Sequence, residues 1–207
     1  MGRNTARASV LQSDDIASLL RENRQRWELL ELVEALNLRQ GSIGAGFVRN
    51  FVWDALHGRA SDCKDEDIDV LYFDDKDLDP ASDEAFEHWL QQAAPGYQWS
   101  VKNQARMHLR NGDSPYCSVA DAMRYWPETA TAVAAQRSGS DCRILAPFTL
   151  NDLCSMILRP ASSLPHKREA FRSRVQSKGW LERWPLVRVV EMSAPGRSAI
   201  PQAAMKF

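Results

Sequence analysis

Gly44-Ala-Gly-Phe-Val-Arg-Asn50 and Asp67-Ile-Asp-Val-Leu-Tyr-Phe73 are the two stretches of the sequence that decide the expected fold. The second stretch is rich in β-branched and aromatic residues, which predicts a strand. Residues two apart on a strand point to the same face, with Cα atoms roughly 6–7 Å apart. The sequence therefore predicts that Asp67 and Asp69 place two carboxylates side by side on one face of this strand.

The Asp67–Asp69 pair is the first candidate site. We predict that these two residues are both the metal ligands and the catalytic residues. Mg²⁺ prefers carboxylate oxygens together with substrate phosphates. Two acids side by side on an apolar strand are also costly unless a cation or another partner neutralises them. The alternative is that Asp67 ends the acidic loop that holds Asp62, Asp65 and Glu66, while Asp69 is solvated at a strand edge.

The glycine-rich stretch before the strand is the second candidate site. Gly44, Ala45 and Gly46 precede a predicted helix over Phe47 to Leu56. A glycine-rich turn at a helix N-terminus offers free backbone N–H groups and the positive end of the helix dipole, and both suit phosphate. We therefore take the backbone of Gly44 to Phe47 as a candidate nucleotide-binding segment. The alternative is an ordinary tight turn.

Arg49 is a candidate phosphate-binding side chain, because it lies one turn into the predicted helix that follows the glycines. A cation there would neutralise part of the charge of a bound triphosphate. The sequence leaves a second reading open, in which Arg49 pairs with Asp54 or Asp69 for structural reasons.

Lys102 is a further candidate for nucleotide binding. It lies on a second predicted strand, Tyr97 to Met107, where it would share a face with Gln104 and Arg106. The alternative is a solvated strand face. This predicted strand contains no Asp or Glu, and Asn103, its nearest oxygen-bearing side chain, cannot act as a general base.

The order of the remaining predicted elements indicates an α+β or α/β protein. Ser82 or Asp83 is expected to cap the helix that follows the acidic strand. Helices are predicted over Val119 to Trp126 and Thr129 to Ala135. The basic stretch Lys167 to Trp180 is expected to form an amphipathic helix with its charged residues facing solvent.

The predicted organisation is one domain with short ends. Residues 13–192 are expected to form it, with a catalytic-type core over about 13–110 and a mainly helical part over about 111–192. Residues 1–12 are predicted to be a flexible segment, and residues 193–207 a tail.

Composition excludes several classes of protein. The net charge of −1, from 26 Lys and Arg against 27 Asp and Glu, argues against extended nucleic-acid binding. The four cysteines form no CxxC pair, which makes a structural zinc site unlikely on spacing alone. The cysteines are expected to be reduced thiols, and the sequence shows no signal peptide and no apolar run long enough for a membrane span. These features predict a cytoplasmic protein.

The sequence resembles a known superfamily at the stretches quoted first. Gly44 to Asn50, a helix, and then Asp65-Glu-Asp-Ile-Asp-Val70 look like the signature of the DNA polymerase β-type nucleotidyltransferases. Over roughly Leu29 to Trp184, the chain resembles a group of uncharacterised bacterial nucleotidyltransferase-like proteins. The later segments of that likeness are Val101 to His108, Tyr125 to Ala130 and Ala146 to Leu153.

This resemblance implies a mixed sheet flanked by helices, with Asp67 and Asp69 holding Mg²⁺, or Mn²⁺, against a nucleoside triphosphate. Gly44 to Phe47 and Arg49 would hold its β- and γ-phosphates. In such enzymes a third acid on a later strand usually activates the acceptor, and the predicted strand Tyr97 to Met107 lacks one.

The leading hypothesis is a Mg²⁺-dependent protein that transfers a nucleoside monophosphate from a nucleoside triphosphate (NTP) to an unknown small-molecule or protein acceptor. The missing third acid motivates an alternative, a catalytically inactive protein on the same fold that binds a nucleotide or a partner. A metal-dependent phosphohydrolase is a third possibility.

Overall fold

The computed structural model describes residues 11–191, and within that range five strands form one mixed sheet in the order β3-β2-β1-β4-β5. Strands β2 and β3 are parallel, whereas β1 pairs antiparallel with both β2 and β4, and β4 pairs antiparallel with β5. This confirms the predicted mixed sheet. The strands are β1 (Ser42–Gly44), β2 (Asp67–Tyr72), β3 (Gln98–Asn103), β4 (Ala134–Ser138) and β5 (Asp141–Leu145).

Along the chain, the helices of the described residues come before, between and after the strands of the sheet. They are α1 (Ser13–Glu22), α2 (Arg24–Ala35), α3 (Gly46–Leu56), α4 (Pro80–Ala93), α5 (Gln104–Asn111), α6 (Val119–Met123), α7 (Asn151–Cys154), α8 (Pro165–Ser177) and α9 (Trp180–Arg183). A separate parallel pair joins β6 (Ile157–Leu158) to β7 (Arg188–Val189). Most of the predicted segment 1–12 and the predicted tail 193–207 lie outside the described residues.

Strand β2 has the two faces that its sequence predicted. Ile68, Val70 and Tyr72 are buried in the core, whereas Asp67 is exposed and Asp69 is half-buried on the other face. The parallel neighbour β3 requires a crossover, which α4 supplies. That helix begins at Pro80 with Asp79 as its cap, so the predicted cap at Ser82 or Asp83 is wrong. Proline is favoured at this first helical position because its missing N–H has no intrahelical partner there.

Helix α3 is the central helix of the larger core cluster. Phe47, Val48, Val52 and Trp53 on it have no solvent exposure. The Trp53 ring packs edge-on against Trp184, with ring centroids 5.2 Å apart. The C-terminal part of the chain is therefore packed directly against the helix that follows the glycines.

The predicted strand Tyr97 to Met107 is wrong beyond Asn103, because α5 begins at Gln104. The reason is the Asn103 side chain, whose oxygen accepts from the backbone N–H of Ala105 at 3.1 Å and so caps the helix. Its amide nitrogen also donates to the carbonyls of Asp74 and Asp77, at 2.8 and 2.7 Å. One buried asparagine thus ends β3 and holds the loop after β2.

The predicted helix over Thr129 to Ala135 is also wrong. Ala134 and Ala135 lie in β4, where they pair with Gly44 and Ile43 of β1 on one side and with β5 on the other. Strand β4 lies inside the sheet, between β1 and β5, where small side chains fit well. This tertiary context overrides the helix propensity of alanine. The chain beyond residue 110 therefore contributes two strands to the sheet as well as helices.

Candidate active site

The carboxylates of Asp67 and Asp69 face a cleft of about 440 Å³ that we call the charged cleft. Neither side chain makes a hydrogen bond or an ion pair with another residue of the described range 11–191. Asp69 is half-buried, so its carboxylate is partly removed from water without a protein partner. The charged cleft is lined by Ala45, Gly46, Arg49, Asn50, Asp65, Glu66, Asp67, Asp69, Arg174, Lys178, Trp180, Arg183 and Trp184.

The electrostatics of the pair favour a bound cation. Burial, followed by the negative charge of Asp67, raises the pKa of Asp69 to about 6, while Arg49 acts in the opposite direction. A cation between the two carboxylates would favour their charged forms and remove this penalty. Their oxygen donors match the preference of Mg²⁺, which usually takes one or two carboxylates and completes its shell with water and phosphate oxygens.

Further acids line the charged cleft, but they do not form a closed set of metal ligands with Asp67 and Asp69. Within residues 11–191, no three His, Cys, Asp or Glu side chains are grouped closely enough to hold a metal ion. Glu66 is engaged by Asn50 at 2.8 Å, Arg183 at 3.0 Å and Arg26 at 3.4 Å. The Asp pair therefore fits a site that substrate and water complete, and it does not fit a closed structural site.

Two of the predicted glycine-motif residues, Ala45 and Gly46, line the charged cleft at the start of α3. Ala45 has φ 53° and ψ −121°, a conformation that alanine rarely adopts. It is held by its backbone N–H, which donates to the Val133 carbonyl at 2.9 Å. This bend leaves the first backbone N–H groups of the eleven-residue helix α3 at the cleft.

The structure does not bring Gly44 and the Phe47 side chain into the charged cleft. Gly44 lies in β1, where an added Cβ would be 2.7 Å from Leu71 Cδ1, so its role is close packing between strands and not a turn. Phe47 is fully buried in the core. Its backbone lies in the first turn of α3, next to Gly46, which lines the cleft.

Arg49 lies in the charged cleft, and its guanidinium is fixed by neutral partners. It donates to Thr131 Oγ1 at 2.9 Å and to Asn50 Oδ1 at 2.7 and 3.2 Å, and it stacks 4.7 Å from the Trp180 ring centroid. Within the described residues it makes no ion pair, so the pairing with Asp54 or Asp69 is not observed. Desolvation lowers the pKa of Arg49 to about 10, which leaves it charged at neutral pH.

The charged cleft is also lined by basic residues that were not predicted there, and we call them its basic wall. Arg174 and Lys178, near and just after the end of α8, line the cleft, although this basic stretch was expected to face solvent. Arg174 is held by the buried Glu128 at 2.7 Å. Lys178 makes no ion pair with another described residue. The spacing of four positions between the two cations was the available signal, because such residues share a helix face.

Lys102 is not brought to the charged cleft. Its ammonium nitrogen lies 3.6 Å from Glu87 and donates to the Val101 carbonyl at 2.9 Å. It borders a different surface depression, beside Asp83 and Arg106.

A family model described as nucleotidyltransferase matches residues 31–189. The chain belongs to the nucleotidyltransferase family. The match spans both the Asp pair on β2 and the basic wall of the charged cleft, so this family member carries the whole cleft within the matched region.

Solved structures show the same fold. One, described as an NMR structure that reveals a CCA-adding enzyme head domain, is 30% identical over 86% of this chain and 96% of its own, with a TM-score of 0.75. A Thermotoga maritima CCA-adding enzyme complexed with tRNA is 16% identical, with a TM-score of 0.54. A CCA-adding enzyme complexed with CTP is 15% identical, with a TM-score of 0.55. The comparison covers 85% and 84% of this chain.

This family member spans only 42% and 43% of those two CCA-adding enzymes. No curated protein matches the chain. No helix among residues 11–191 is long and apolar enough to cross a membrane.

Proposed function

We propose that this protein transfers a nucleoside monophosphate from an NTP to an acceptor, in a reaction that depends on Mg²⁺ or Mn²⁺. The observation that carries the proposal is the pair of carboxylates without partners among residues 11–191, Asp67 and Asp69, in a cleft that cations also line. Acids and bases that line one open cleft suit a metal-bound polyphosphate, which is attracted to both.

Each wall of the charged cleft has a separate task in this proposal. Asp67 and Asp69 hold the metal ion, which when bound screens the phosphates and positions them for in-line attack. The backbone N–H groups at the start of α3 and the fixed Arg49 guanidinium bind the β- and γ-phosphates. Arg174 and Lys178 stabilise the negative charge that develops on the departing pyrophosphate.

The acceptor remains a small molecule or a protein group in this proposal. The CCA-adding enzymes with the same fold were solved with tRNA and with CTP. At their low identity these two structures support the fold alone, so they select neither the NTP nor the acceptor for this chain. The even charge balance still favours a compact acceptor over a long stretch of nucleic acid.

The decisive experiment is calorimetric titration of each of the four NTPs with Mg²⁺ into wild type and into the double variant Asp67→Asn/Asp69→Asn. We expect metal-dependent binding to wild type and a loss of at least about tenfold in the double variant, since the ligands lose their charge. Asp141→Asn, at an exposed position on β5, is the matched control and should bind as wild type. Equal NTP affinity in the double variant would contradict the proposed site.

A binding protein without turnover is the second candidate, and one observation favours it. Within residues 11–191 no third acid is grouped with Asp67 and Asp69 closely enough to share a metal ion, and Glu66, which lines the same cleft, is engaged by Asn50 and Arg183. The two functions separate in one assay, because a transferase releases pyrophosphate when the acceptor is supplied and a phosphohydrolase releases phosphate or pyrophosphate without one. NTP binding with neither product would favour the binding protein.

A further inference from the structure

A second cleft, of about 530 Å³, is also lined by Asp69. We call it the aromatic cleft, because the half-buried rings of Tyr125 and Trp126 line it. It shares Ala45, Asp69 and Arg174 with the charged cleft, so the two volumes meet at the predicted metal ligand. The other residues that line it are Leu71, Arg110, Asn111, Pro127, Thr131, His166, Lys167 and Ala170.

We propose that the aromatic cleft binds the acceptor, and that this acceptor is a small compound with a flat ring and an anionic group. The inference rests on the proposed function, because it places the second substrate of that reaction. In an in-line displacement the attacking oxygen approaches the α-phosphorus opposite the leaving pyrophosphate. With the pyrophosphate held in the charged cleft, the attacking group is placed in the adjoining cleft that shares Asp69 with it, which is the aromatic cleft.

The step balances without another reagent. An acceptor hydroxyl oxygen forms a bond to the α-phosphorus, and the bond from that phosphorus to the oxygen that bridges to the β-phosphorus breaks. The bridging oxygen leaves with the electron pair as pyrophosphate, and the hydroxyl proton passes to water.

The side chains of the aromatic cleft define the chemistry of the acceptor. Tyr125 and Trp126 offer ring faces for stacking, and the Trp126 indole N–H makes no hydrogen bond with another residue of the range 11–191. The Arg110 side chain is exposed and likewise makes no hydrogen bond or ion pair with a described residue. An arginine fork without a partner beside aromatic rings favours a phosphate or a carboxylate attached to a flat ring.

A partly buried network holds the walls of the aromatic cleft in place. Lys167 on α8 lies 2.8 Å from Asp113, which follows α5, and Tyr116 donates its hydroxyl to the same Asp113 at 2.6 Å. The Lys167 ammonium lies 5.9 Å from the centroid of the Tyr125 ring. Since Asp113 pairs with Lys167 and Glu128 pairs with Arg174, Arg110 is the Lys or Arg side chain of this cleft without an acidic partner among residues 11–191.

The test measures the binding of two probes, phenyl phosphate and benzoate, by NMR titration of the full chain, with benzyl alcohol as the uncharged comparison. We expect phenyl phosphate or benzoate to bind more tightly than benzyl alcohol, and the one that binds identifies the anionic group. Arg110→Ala should weaken that binding about tenfold, the effect of one charge-assisted contact. Arg143→Ala, at an exposed position on β5, should leave it unchanged.

The affinity for NTP with Mg²⁺, measured on the same variants, separates this inference from the proposed function. An unchanged NTP affinity in Arg110→Ala, together with weaker probe binding, supports an acceptor site. If Arg110→Ala weakened probe binding and NTP binding equally, the acceptor site would be overturned, because the aromatic cleft would then hold the nucleotide. Normal NTP binding with no binding of either anionic probe would overturn this inference alone, whereas absent NTP binding would overturn the proposed function.

Discussion

Asp69 lies at the border of both clefts. It is the residue that the charged cleft and the aromatic cleft share on β2, and its carboxylate has no partner among residues 11–191. Arg49 shows the opposite arrangement, because Thr131 and Asn50 fix its guanidinium while its charge stays uncompensated by an ion pair. One acid and one base are thus both left to interact with a ligand.

Gly44 supports this site through packing, and a single methyl group tests that role. Gly44→Ala would place a Cβ 2.7 Å from Leu71 Cδ1 and 3.4 Å from the Trp126 ring. We expect a loss of about 1–3 kcal/mol in the free energy of unfolding, because overpacking forces neighbouring groups to move. Urea denaturation measures it, and Gly96→Ala, which meets nothing within 4 Å, is the control. A stability equal to that of wild type would refute the packing role.

At the scale of elements, the charged cleft is made when the C-terminal segments dock on α3. The Trp184 indole N–H donates to Asp54 Oδ1 at 2.7 Å, and Arg183 reaches Glu66 at 3.0 Å. These contacts join the end of α9 to the helix that carries Arg49 and to the loop before β2. We therefore expect the position of Arg174 and Lys178 in the lining of the charged cleft to depend on this docking.

Trp184→Phe should loosen that docking, because it removes a buried hydrogen bond to a charged group and part of the packing against Trp53. We expect a loss of about 1.5–3 kcal/mol in the free energy of unfolding, together with weaker NTP binding as the cationic wall moves. Trp89→Phe, at a partly exposed tryptophan on α4, is the matched control. Unchanged stability and NTP affinity in Trp184→Phe would show that the wall is held by other contacts.

At the scale of the whole molecule, the small net charge hides a strong local separation of charge. The acids of β2 and its preceding loop line the charged cleft together with cations on and just after α8 and on α9. A bound metal and triphosphate would join the sheet to these C-terminal helices. Ligand binding should therefore stabilise the native protein against unfolding as well as occupy the site.

Thermal unfolding measures this linkage. At a concentration of NTP with Mg²⁺ about 100 times its Kd, the native state gains about 2.7 kcal/mol, which corresponds to a rise of about 5–10 °C in Tm for a domain of this size. Chelation of the metal by EDTA should remove the rise, and Asp67→Asn/Asp69→Asn should not show it. The same rise with EDTA present would contradict a metal-dependent site.

The sequence by itself determined strand β2 with its outward Asp pair, helix α3 after the glycines, and the mixed α and β fold. These features depend on neighbouring residues, through alternation along a strand and small residues at a helix start, so local patterns suffice to predict them. The roles of metal, nucleotide and acceptor remain predictions that the experiments above test.

Only the tertiary structure decided where β3 ends, that Ala134 and Ala135 lie in a strand, and which cations reach the site. The Asn103 side chain that caps α5 is itself held by bonds to a loop 26 and 29 positions away, and Arg49 is fixed by Thr131, 82 positions away. Lys102 was predicted at the site and lies elsewhere, whereas Arg174 and Lys178 were expected in solvent and line the charged cleft. Contacts between residues so distant in the chain leave no local pattern, because they form only when the helices pack on the sheet.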